Sequence, residues 1–140
     1  MSKPNRTFSS VPGDVRDWTR FLSELFFEDE FETTLLGCAT DETGIARYTV
    51  SAGIVCLSLP DLSAVSNSVL AFLSGLPEEI TPQHDQQCLA RVIDNGVTQM
   101  GLVQVGIDTG LTMFADLDGG AFTGAGTKGV RFTNIVYPLD

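Results

Sequence analysis

Histidine is nearly missing from this chain, and His84 is its only representative. A hydrolase triad or a histidine-based metal site thus has one donor to draw on, in the polar stretch Thr81-Pro-Gln-His-Asp-Gln-Gln87 beside Asp85. No Gly-x-Ser-x-Gly elbow accompanies it, so the reading is a solvated loop histidine and no catalytic residue is assigned. Cysteine is sparse and odd in number. Cys38, Cys56 and Cys88 are separated by 18 and 32 residues, which fits neither a zinc ribbon nor a redox pair and leaves three small hydrophobes in apolar stretches. Positive charge is also scarce: 8 Lys and Arg stand against 18 Asp and Glu, a net charge of −10. A phosphate backbone or an acidic lipid surface is repelled by that balance, which argues against nucleic acid as a partner. No apolar run approaches the roughly 18 residues that cross a bilayer, and Met1-Ser-Lys-Pro opens a polar segment with no secretory apolar core. The expectation is a protein made in the cytoplasm and not inserted in a membrane.

What the chain does have is 43% apolar residues and 14 glycines in 140 positions, enough for one domain with a core. Its first thirty residues differ from the rest. Trp18, Phe21, Leu22, Leu25 and Phe26 recur at three- and four-residue spacing, the period of an amphipathic helix. Asp14, after Pro12-Gly13, is placed to cap it. Residues 1–30 are therefore read as a short N-terminal α-helix for oligomerisation or docking. Five large apolar side chains on about four turns exceed what a lone surface helix buries, so the helix packs on its own domain or, as expected here, joins identical chains through them.

Residues 31–140 read as antiparallel β-structure, with short Val-, Ile-, Leu- and Thr-rich segments between Gly, Asp, Asn and Pro. Eight strands are expected: Glu32 to Ala39, Ile45 to Ser51, Ile54 to Leu59, Val69 to Leu73, Gln87 to Ile93, Thr98 to Val105, Leu111 to Phe114 and Gly129 to Val136. Ser51-Ala-Gly53 and Asp94-Asn-Gly96 carry the residues of tight hairpins. In the second strand, Ile45, Arg47, Thr49 and Ser51 share a wet face, and Ala46, Tyr48 and Val50 the dry one. The fold class is mainly β, an antiparallel jelly-roll-like β-sandwich.

Several chemistries bear on the loop residues. Glu78, Glu79, Asp94, Asp108, Asp116 and Asp118 supply acids for a glycosidase pair, although supply alone does not set two carboxylates across a cleft. Asp116-Leu-Asp118-Gly119 has the start of a calcium loop but lacks its terminal Glu. Gly119 to Gly129 is glycine-rich, yet it ends Thr127-Lys128-Gly129 before a strand, which is a turn and not a phosphate loop. No metal and no organic cofactor is expected. Sugar binding needs exposed aromatics and hydrogen-bonding groups, and Asp108, Phe114, Asp116, Asp118, Phe122 and Thr123 form the ligand-binding candidate set.

The runs Gly44-Ile-Ala-Arg-Tyr-Thr-Val-Ser-Ala-Gly-Ile-Val-Cys-Leu-Ser-Leu-Pro60 and Ser66-Asn-Ser-Val-Leu-Ala-Phe-Leu-Ser-Gly-Leu-Pro77 resemble a β-rich domain of tail-fibre and other fibre-like structural proteins of bacteriophages. Ile80-Thr-Pro82, the Asp94-Asn-Gly96 turn and the stretch from Phe122 to Tyr137 continue the resemblance, which spans Phe31 to Tyr137. It implies a non-enzymatic virion structural protein: a trimeric fibre tip or decoration module, exposed on the particle and binding a host-surface polysaccharide. Two further readings stay open. One is a capsid or tail accessory protein docked on another virion protein by its N-terminal helix, and the other is a small glycan-processing enzyme.

Overall fold

The computed structural model describes residues 26–108 and 110–140. Ten strands build it: β1 (Phe26–Leu36), β2 (Glu42–Ser51), β3 (Ile54–Leu59), β4 (Leu62–Val65), β5 (Phe72–Leu73), β6 (Gln86–Asp94), β7 (Val97–Val105), β8 (Leu111–Phe114), β9 (Thr127–Val130) and β10 (Thr133–Pro138). They form one antiparallel sheet in the order β10-β3-β2-β1-β5-β8-β7-β6-β9-β4. The expected sandwich of two separate sheets is thereby corrected. β5, two residues long, pairs with β1 on one side and β8 on the other, so both halves belong to one ladder. The sheet curls until β10 packs beside β6 and β4 beside β2, around a single apolar core.

The β2 alternation is as the sequence implied, with Ala46, Tyr48 and Val50 buried and Ile45, Arg47 and Thr49 exposed. Both hairpins form where expected. Asn95 and Gly96 have φ of 49° and 79°, and Ala52 joins Gly53 at positive φ, 51° and 85°, the pairing a two-residue turn of the I′ kind requires. Elsewhere the strands differ from expectation. The segment expected from Gly129 to Val136 splits at Arg131 because its ends serve opposite parts of the sheet, β9 pairing with β4 and β6 and β10 with β3. β4 has no counterpart among the expected strands, and the expected Val69-to-Leu73 strand shrinks to Phe72 and Leu73.

The helical reading of residues 1–30 meets the described chain only at its end, and there it is corrected. β1 begins at Phe26, which pairs with Ser51 and is 48% exposed. The acids Glu28, Asp29 and Glu30 hide a two-residue period in the sequence, while Phe27 and Phe31 turn inward against Tyr48 with ring centroids 6.4 and 6.1 Å away. Trp18, Phe21, Leu22, Leu25 and the capping Asp14 lie outside the described residues.

Two tethers hold the connections onto this sheet. A 3-10 turn at Glu78–Ile80 is pinned by the Tyr137 hydroxyl, which donates to the Ile80 carbonyl at 2.7 Å, and by Tyr48, which donates to Glu79. Lys128 on β9 is fully buried, and its Nζ donates to Ser68 O at 2.8 Å and to Leu70 O. Burial pushes this lysine below its ordinary pKa, against the opposing influence of Cys38 and Asp94.

Candidate functional site

The loop residues expected to bind a ligand do not converge. Asp108 lies before β8, and Asp116, Asp118, Phe122 and Thr123 lie beyond its other end. Phe122, the aromatic on which sugar stacking would depend most, is only 2% exposed and joins the core, with Lys128 Nζ 5.9 Å from its ring centroid. Its burial removes it from any ligand surface. Asp116 is occupied within its own turn, where Oδ1 accepts from the amides of Asp118 at 3.0 Å and Gly120 at 2.8 Å. Thr123 is bound to Asp94 through both its amide and its hydroxyl, at 2.9 and 3.1 Å. Phe114 is half-buried on the outer face of β8, and Asp118 is exposed.

Other chemically noted side chains have structural settings. His84 is exposed, and its neighbour Asp85 accepts from the Ile107 amide at 3.0 Å. All three cysteines are free thiols. Burial pushes both Cys38 and Cys88 up in pKa, which favours the thiol over the thiolate. Cys38 is buried as expected, whereas Cys56 and Cys88 are half-buried. Among the described residues no three His, Cys, Asp or Glu side chains gather into a metal-binding group.

A groove of about 610 Å³ does form, on the outer face of β1, β2 and β3, lined by Glu28, Glu30, Arg47, Thr49, Cys56 and Ser58 together with Asp29 and Tyr48. Sheet register builds it. Glu30 lies opposite Arg47, Arg47 opposite Ser58, and Ser58 opposite Asn134, so one row of polar side chains crosses four strands. Arg47 Nε stands 3.3 Å from Glu30 Oε2, and the Ser58 hydroxyl donates to Asn134 Oδ1 at 2.6 Å. The parallel row is Glu28, Thr49, Cys56 and Val136. Both ion-pair partners are more than half exposed, so their mutual attraction is weak and both remain able to exchange partners.

Carboxylate, guanidinium, hydroxyl and amide groups on one pleated surface match the repeated hydroxyls of a saccharide, which need acceptors and donors in alternation. Three acids against one Arg make the groove negative, so it suits a neutral sugar better than an acidic one. Of this site, Arg47 and Thr49 are visible in the sequence on the wet face of β2. Glu30, Ser58 and Asn134 are not, because only register brings positions this far apart in the chain into one row.

No family model matches this chain, and no curated protein matches it. Among solved structures, it is similar to a reovirus attachment protein, sigma1, crystallised in complex with alpha-2,3-sialyllactose. The TM-score is 0.48 and the identity 14%, over 82% of this chain and 67% of that one.

Proposed function

We propose that this protein is a non-enzymatic virion module of the bacteriophage fibre-tip or decoration kind, assembled as a trimer, which holds a neutral cell-surface glycan in the β1–β2–β3 groove. The observation that carries the binding reading is the cross-strand row Glu30, Arg47, Ser58 and Asn134 along an open groove. The fibre-like sequence pattern from Phe31 to Tyr137 supports the virion setting. A shallow site of this type gives weak binding per chain, and repetition in a trimer raises avidity without any new contact.

A glycan array probed with the whole protein tests the reading. Neutral oligosaccharides should bind and sialylated or sulfated ones should not. Arg47→Ala and Ser58→Ala should each weaken binding roughly five- to tenfold, the equivalent of about one hydrogen bond. Binding that persists unchanged in a folded Arg47→Ala, Ser58→Ala double variant moves the site elsewhere, and cleavage of a bound glycan replaces the binding module with an enzyme.

A further inference from the structure

The outer face of β5, β6, β7 and β8 differs in kind from the groove. Leu89 is paired with Leu102, and Leu102 with Phe114. The Met113 amide donates to the Ala71 carbonyl at 2.9 Å, prolonging the β5–β8 ladder so that Leu70 falls opposite Phe114. Four apolar side chains thus lie in a row across β6, β7, β8 and the segment just ahead of β5, with Phe72 and Met100 in the rows to either side. Leu89 is 60% exposed, Leu70 54% and Met100 46%. Gln87, Gln104, Thr112 and Arg91 border them. Among the described residues, the outward positions of these strands hold no Asp or Glu.

We propose that this face is a contact surface for a second copy of the same chain. Charge selects the occupant. At a net charge of −10 two copies repel each other over most approaches, and β1 and β2 alone present Glu28, Asp29, Glu30, Glu32 and Glu42 to solvent. A basic partner would be drawn to those acids, whereas a second acidic copy meets least repulsion where carboxylates are few, the one at this border being Asp85, whose Oδ2 accepts from Gln104 Nε2 at 3.5 Å. Size agrees with this. Six partly exposed apolar side chains offer on the order of 500 Å², the upper end of what a monomer keeps in one patch, and the polar border brings the face near the ~800 Å² per partner of a standard interface.

The reading does not depend on what the groove binds. The test is the mass of the full-length protein by light scattering and sedimentation across micromolar concentrations, for wild type, Leu89→Glu, Met100→Glu and Val97→Glu. Val97 is 59% exposed at the start of β7 and outside the apolar row. Wild type should run as a multiple of 15.0 kDa, and Leu89→Glu and Met100→Glu should each raise the assembly dissociation constant at least 100-fold. Val97→Glu should leave it unchanged. Circular dichroism identifies any variant that fails to fold, and either of the two row variants suffices. A monomeric wild type overturns the proposal, as does unchanged assembly in a folded row variant. A monomer whose Met100, 46% exposed in the sheet, resists peroxide oxidation as strongly as the buried Met113 would mean that residues 1–25 of the same chain cover the face, which also overturns it. Glycan binding by the monomeric variants, measured on the same array, keeps a failure here separate from a failure of the groove.

Discussion

Lys128 Nζ lies 2.8 Å from the carbonyl oxygen of Ser68, a residue 60 positions earlier in the chain. A fully buried ammonium takes backbone carbonyls as its acceptors and holds the 66–70 connection against β9. Ser66 adds to this tether, its hydroxyl 2.9 Å from Ser68 O and 3.1 Å from Thr123 O.

Lys128→Met keeps the aliphatic stem and removes the donor, leaving the Ser68 and Leu70 carbonyls without it at a cost of about 2 kcal/mol. The cost depends on pH with a definite sign. Because burial lowers the lysine pKa from its ordinary 10.5, between the lowered value and 10.5 the unfolded chain holds more protons, and the native contribution rises with pH. Urea titrations at pH 7, 9 and 10 should show the gap between wild type and Lys128→Met widening. A constant or narrowing gap contradicts the buried-ammonium account.

Tyr137 gives the opposite slope. Burial foremost, with the Cys88 and Tyr48 charges in addition, pushes its phenol well above the ordinary value of 10. The stability it contributes is fully present below pH 10 and is lost as pH rises beyond that toward the raised value. Tyr137→Phe should cost about 1 kcal/mol at neutral pH through the lost bond to Ile80, and the gap to wild type should shrink above pH 10. Equilibrium unfolding at pH 7 and 10.5 measures both quantities, and a gap that grows over this interval rules the assignment out.

Phe122 and Asp118 separate core from surface within one loop. Phe122→Ala should lose about 3–4 kcal/mol and lower the melting temperature by roughly 10 °C. Asp118→Ala, on an exposed side chain, should change stability by less than about 0.5 kcal/mol. Calorimetry on both variants distinguishes the roles. Should Phe122→Ala melt like the wild type and lose glycan binding, the ring belongs to a ligand site after all.

Local patterning by itself determined the mainly β, antiparallel character, both two-residue hairpins, the limits of β3 and β8, and the dry and wet faces of β2. Each depends on a two-residue period or on the few residues that accept positive φ, and these are properties of neighbours along the chain. Tertiary structure decided the rest. The joining of both halves into one curled sheet depends on two residues of β5, inside the expected Val69-to-Leu73 strand, and on their pairing with β1 and β8, which local pattern does not record. The part of β1 ahead of the expected start at Glu32 was hidden because its half-buried Phe27 and Phe31 are interleaved with Glu28, Asp29 and Glu30, and ten pairings with β2 define the strand despite them. The burial of Phe122 and Lys128 follows from what packs over them, which composition does not record. The groove and the apolar row follow from register, since a side chain on a sheet takes its neighbours from other strands and only pairing assigns them.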